Sequence, residues 1–106
     1  MQELESLLNE LKEKGIGGAV VRLDGVPVAS TIGMRDVDIG LFASVSNVAD
    51  ALMKGEGDKQ SEIEISFGGL IVVIVPIKDH IFCGMIKDRS EKDIILEYAQ
   101  KAKQFL

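Results

Sequence analysis

Gly15-Ile16-Gly17-Gly18-Ala19-Val20-Val21-Arg22-Leu23-Asp24-Gly25-Val26-Pro27-Val28-Ala29-Ser30 decides the fold: two short apolar runs joined by Asp-Gly, directly behind a one-sided helix. Asp24-Gly25 tolerates the positive φ angles of a two-residue type I′ turn. Such a pair between apolar runs predicts a β-hairpin, with strands over about 17–23 and 26–31. Upstream, Leu4, Leu7, Leu8 and Leu11 recur at i, i+3, i+4 and i+7, while Glu3, Glu5, Glu10, Lys12, Glu13 and Lys14 take the other faces. That spacing predicts an amphipathic helix, ended by Gly15 in the left-handed conformation.

Beyond the hairpin, a second helix is expected from Asp36, an acidic N-cap candidate, to about Lys54, before Gly55. Its apolar residues are too widely spread for one core. At ~100° per residue, Ile39, Leu41, Phe42, Val45, Val48, Ala49, Leu52, Met53 and Val37 cover roughly 200° of arc; a helix lying on one core needs nearer ~100°. Asp36, Asn47, Asp50 and Lys54, with the small residues Gly40, Ala43, Ser44 and Ala51, fill the remaining stripe. A monomer would leave part of this helix wet, so dimerisation is expected. The following Gly55 to Ser61 reads as a flexible polar loop. It lacks the spacing and the Gly-Lys-Ser/Thr ending of a phosphate loop.

A third strand alternates, with Glu62, Glu64 and Ser66 on one face and Ile63, Ile65 and Phe67 on the other, as at a sheet edge. Gly68-Gly69 turns it into Leu70 to Val75, apolar on both faces and expected to stop at Pro76; Ile81 to Ile86 is a second such run. These two strands should be central. The last helix is expected to open at Ser90-Glu91-Lys92-Asp93, with Ser90 as cap and Asp93 as its acidic partner, and to bury Ile94, Ile95, Tyr98, Ala99, Ala102 and Phe105. The order α-β-β-α-β-β-β-α implies one α+β domain over residues 1–106: a mostly antiparallel five-stranded sheet with helices on both faces, in three layers.

Composition bounds the function. The chain of 106 residues has a net charge of −5 with both signs interspersed, no Trp and one Tyr, which argues against a nucleic-acid partner. No apolar run approaches the ~18 residues of a membrane span. Met1 leads into Gln-Glu-Leu-Glu with neither a basic nor an apolar targeting segment, so a cytoplasmic location without membrane insertion is expected. Cys83, the one cysteine, lies among apolar residues and reads as a small buried hydrophobe. His80, the one histidine, is placed in a solvated turn, where a pH-sensitive contact is the sharper reading. Asp36 and Asp38, two apart on a helix, do not form a carboxylate pair. Glu62 and Glu64 do share a strand face and could attract Lys or Arg on a partner or weakly hold a cation, though such residues commonly keep an edge from aggregating. Arg22 and Arg35 could meet an acidic partner or a phosphate, but neither has the context of an arginine finger and surface solvation is the simpler reading of both. With no nucleophile beside a base, no metal-ligand spacing and no cofactor loop, no enzyme, no cofactor and no metal are expected.

Gly18-Ala19 entering the first strand, the Asp24 to Pro27 turn, Ala43-Ser44-Val45-Ser46-Asn47-Val48-Ala49 with Leu52 on the second helix, and Tyr98, Ala99 and Ala102 on the last together resemble the roadblock family. The resemblance covers nearly the whole chain. It implies a profilin-like/roadblock fold and a homodimer or heterodimer in which the third strands pair across a two-fold axis and the second helices lie together. The expected dimer interface is Phe42, Val45, Ala49, Leu52, Met53, Glu62, Ile63, Glu64 and Ile65. The resemblance further implies a non-enzymatic regulator or scaffold that binds a small Ras-like GTPase and, as in gliding-motility relatives, promotes hydrolysis by arranging the GTPase's own residues. Arg35, Asp36, Ser44, Asn47 and Asp50 are the expected GTPase contacts. The alternatives are a profilin-like or PAS-like ligand-sensing domain and a purely structural subunit of a larger scaffold.

Overall fold

The structure, a computed structural model, describes residues 2–55 and 62–106, with side chains for all of these but 51–55 and Phe67. The loop expected over Gly55 to Ser61 therefore lies, beyond Gly55, outside the described residues. The elements follow as α1 (Gln2–Glu13), β1 (Gly17–Arg22), β2 (Pro27–Ser30), α2 (Asp36–Gly55), β3 (Ile63–Phe67), β4 (Leu70–Ile77), β5 (His80–Ile86), a single 3₁₀ turn (Arg89–Glu91) and α3 (Lys92–Lys103). The five strands form one sheet in the order β2-β1-β5-β4-β3, with every pair antiparallel. Helices cover both faces.

Two cores result, one on each face. Leu4, Leu7, Leu8 and Leu11 of α1 and Ile95, Tyr98, Ala99 and Ala102 of α3 pack with Val20, Val73, Val75 and Phe82 on one side. Ile39, Phe42 and Ala43 of α2 pack with Ala19, Val21, Val72, Ile74, Ile81 and Cys83 on the other. Alternate residues of β1, β4 and β5 thus serve opposite cores, which is why these strands are apolar throughout. Tyr98 also donates from its hydroxyl to Glu10 Oε1 at 2.9 Å, tying α3 to α1. In α3, Ile94 is only partly buried and Phe105, beyond the helix end, is exposed, so the buried stripe is narrower than its sequence suggested.

Helix α1 ends as expected. Gly15, at φ 83°, donates to the Lys12 carbonyl while Ile16 donates to that of Leu11, a Schellman closure that also buries Ile16 with Leu11. The hairpin is present, but its turn is not the two-residue type I′. Gly25 N–H bonds to the Arg22 carbonyl and Arg22 N–H to that of Val26, so the loop is Leu23-Asp24-Gly25, with Gly25 alone at positive φ (93°). The Asp24 carboxylate explains this: it accepts from Val26 N–H at 3.2 Å and pairs with Arg22 at 2.6 Å, which holds Asp24 at negative φ and leaves Gly25 as the bulge.

Three other expectations are corrected. Helix α2 is capped by Arg35, whose carbonyl accepts from Asp38 and Ile39 N–H, so Asp36 is its first residue and not its cap. Asp88, not Ser90, caps the turn into α3. Its carboxylate accepts from Ser90 N–H at 2.8 Å while Glu91 accepts from Asp88 N–H at 3.3 Å, so the reciprocal partner is Glu91 and not Asp93. Strand β4 runs through Pro76 to Ile77: among the described residues β3 pairs only as far as Ile74, and past that point β4 is itself an edge, where a missing N–H costs little.

Candidate functional site

Helix α2 is apolar on two sides and covered on one. Ile39, Phe42, Ala43 and Ser46 are buried. Gly40 sits so close to the hairpin that a Cβ there would collide with the Gly25 carbonyl oxygen, and two turns on, Asn47 Nδ2 donates to the Leu23 carbonyl at 3.0 Å. Gly40 and Ala43 therefore face the hairpin and sheet and permit close approach, while Ser44 lies on the outer side. On the outer side Val37, Leu41, Val45 and Val48 form a ridge, exposed by 65%, 56%, 38% and 63%. With Ser44 and Ala49, Val45 and Val48 line a shallow recess that is almost wholly apolar. Leu23 and Val26 at the hairpin tip are exposed too, so that among the described residues Phe105 is the only exposed large apolar side chain away from this region.

The expected interface residues divide accordingly. Val45 and Ala49 lie on the flank of α2 turned away from the hairpin, exposed and half-buried respectively. Phe42, at 7% exposure, is part of the α2 core, because its helical position falls beside Ile39 and Ser46 on the inner face. The side chains of Leu52 and Met53 lie outside those described.

Strand β3 pairs with β4 alone, so its other edge is open among the described residues. Ile63 and Ile65 are half-buried toward the α2 core, and Glu62 and Glu64 face the α1/α3 side. The two glutamates are tied within the chain. Lys92 Nζ lies 2.5 Å from Glu62 Oε2 and 2.8 Å from Glu64 Oε1, and Arg89 Nε lies 3.4 Å from Glu64 Oε2. The hydrogen bond from Lys92 holds the Glu64 carboxyl below its ordinary pKa, and the two carboxylates, Glu62 first, hold the Lys92 ammonium above its own.

The expected GTPase contacts do not form one patch. Arg35 donates to Asp38 through Nε (2.8 Å) and Nη2 (3.1 Å), a fork that binds the Arg35 head to its own helix and gives Asp38 a role beyond solvation. Asp36 is exposed at the start of α2, Ser44 is exposed within the ridge, Asn47 holds the hairpin and Asp50 is half-buried. What sequence reasoning missed is the prominence of Val37, Leu41 and Val48. Their i, i+4, i+11 spacing was visible, but not which half of the apolar arc meets the sheet.

Elsewhere, Cys83 is fully buried, and burial pushes its thiol up to about 12. His80 is the first residue of β5, opposite Arg22 and Ile77, half-buried with Nδ1 lacking a hydrogen-bond partner among the described residues; it is not a solvated turn residue. Among those residues no helix is long and apolar enough to cross a membrane.

No protein-family model matches the chain, and no curated protein matches it in sequence. Solved structures do match in shape. The crystal structure of a Roadblock/LC7 domain from Streptomyces avermitilis is similar with a TM-score of 0.80 over 97% of each chain, at 9% identity. The gliding protein MglB from Thermus thermophilus gives 0.72 over 96% of this chain and 84% of that one, at 16% identity. Profilin IA of Acanthamoeba castellanii gives 0.63 over 95% and 94%, at 15% identity. With α1 and α3 on one face, α2 alone on the other and β3 at an open edge, the chain has the Roadblock/LC7 fold, within the wider profilin-like architecture.

Proposed function

We propose that the chain is a non-enzymatic regulatory or scaffolding module that works in the cytoplasm as a homodimer and binds a small Ras-like GTPase on its α2 side. One observation carries the reading: the exposed apolar ridge of Val37, Leu41, Val45 and Val48 on a helix whose other side is already packed. Exposed apolar residues in a continuous row mark a surface that another molecule covers.

Pairing of the β3 edge with its own copy about a two-fold axis would join two five-stranded sheets and set both α2 helices on the same face. The Val45 and Ala49 flank, with Leu52 and Met53 further along the helix, would then lie toward the partner copy, leaving Val37, Leu41, Ser44 and Val48 turned outward for the GTPase. The ridge offers apolar contact and a hydroxyl, and Arg35 is engaged by Asp38. These side chains suit arranging a GTPase's own residues more than supplying a charge to its phosphates, in keeping with the roadblock resemblance and with the fold shared with MglB.

Sedimentation of the protein alone, and with a Ras-like GTPase of the same source loaded with GDP or a non-hydrolysable GTP analogue, tests the proposal. A dimer that binds one nucleotide state in preference, and loses that binding on Leu41→Asp, is expected. A dimer indifferent to every such GTPase would favour the structural scaffold subunit instead.

A further inference from the structure

We propose that Lys92, with Arg89, makes the β3 edge compatible with a second copy of this chain by neutralising Glu62 and Glu64, and so selects a homodimer over pairing with a basic partner strand. The inference rests on the edge pairing proposed above. It starts from two-fold geometry. A two-fold axis normal to the sheet carries each face of β3 onto the same face of its copy, so the glutamates of both copies line one face of the joined edge, and a pairing centred on Ile63 or Glu64 sets glutamate directly against glutamate. Directly opposed residues on antiparallel strands stand ~4.5–5.5 Å apart at Cβ, and like charges there oppose pairing. Unneutralised, the two copies would bring four carboxylates together along one short edge.

Lys92 and Arg89 remove that obstacle from within each chain. Lys92 Nζ bridges Glu62 Oε2 and Glu64 Oε1, and Arg89 takes the remaining oxygen of Glu64, so two negative charges meet two positive ones. The cations are placed by the Asp88–Glu91 reciprocal cap, which sets Arg89 in the 3₁₀ turn and Lys92 as the first residue of α3. Lys92 and both glutamates are half-buried, which shields their pairs from salt more than exposed pairs are shielded. Free glutamates would instead have called for Lys or Arg on a partner's strand; a balanced edge fits its own copy.

Sedimentation equilibrium at low and at high ionic strength, with circular dichroism to confirm folding, tests this on four chains: wild type, Arg89→Gln, Arg89→Gln/Lys92→Gln, and that double variant carrying Glu62→Gln/Glu64→Gln as well. The cation-less chain is expected to dimerise about tenfold more weakly at low ionic strength and to recover at high ionic strength, where like-charge repulsion is screened. Arg89→Gln alone should fall between, and the fourfold variant should dimerise like the wild type. Undiminished dimerisation of the cation-less chain, or no recovery in the fourfold variant, would overturn the proposal while leaving the dimer standing. A monomeric wild type would overturn the dimer reading and this inference together.

Discussion

Helices α1 and α2 lie on opposite faces of one sheet and use their apolar residues differently. In α1 all four leucines are buried, and the rest of the helix is charged or polar. In α2, Ile39, Phe42 and Ala43 do the equivalent work, yet Val37, Leu41, Val45 and Val48 remain outside. A helix with one apolar stripe is completed by its own fold; a helix with two needs another molecule for the second. The sheet repeats the contrast at its rim. β3 turns isoleucines toward α2, while Glu62 and Glu64 are matched by Lys92 at the start of α3 and Arg89 in the turn before it.

The sharpest way to break the comparison is to shorten one leucine from each helix. Leu11→Ala should cost about 3 kcal/mol in chemical unfolding, since the side chain is fully buried between α1 and the sheet. Leu41→Ala should cost less than about 0.5 kcal/mol in dilute solution while weakening capture of the GTPase. Next in size is Gly40→Ala. Its gain of about 1 kcal/mol in helix propensity is outweighed by the collision with the Gly25 carbonyl, giving a net loss of about 1 kcal/mol and a shifted hairpin tip in amide spectra. Asn47→Ala, which removes the exposed bond to Leu23, should lower stability by about 0.5 kcal/mol and speed hydrogen exchange in Leu23-Asp24-Gly25.

The smallest effect separates the two rims of the sheet by pH. Because Lys92 depresses the pKa of Glu64 in the folded chain, the contribution of Glu64 is present above the ordinary carboxylate range and is lost as pH falls through the folded value. Stability measured from neutral to acid pH should therefore decline less steeply in Glu64→Gln than in the wild type.

Local signals in the sequence carried the fold well. The leucine spacing of α1, the Gly15 stop, the alternation of β3 and the two-sided apolar runs of β4 and β5 each report one element's surroundings directly. The errors arose where a side chain far along the chain, or a competing local bond, decided the outcome. Asp24 changed the turn type through its own carboxylate. Asp88 to Glu91 carried the reciprocal cap in plain view, yet Ser90 was the more familiar cap residue. The wheel of α2 gave the width of its apolar arc but not its orientation, because Gly40 and Ala43 look like a bland outer stripe and are instead the point of closest approach. Nothing local links Glu62 and Glu64 to Lys92; only the fold brings α3 over the edge strand.

The central claim is that the second apolar side of α2 is covered by other protein, beginning with a second copy. Sedimentation velocity of the wild type and of Val45→Asp, across the micromolar range, tests it most directly. A dimer that the aspartate converts to a folded monomer is expected; a wild type that stays monomeric throughout that range would contradict the claim.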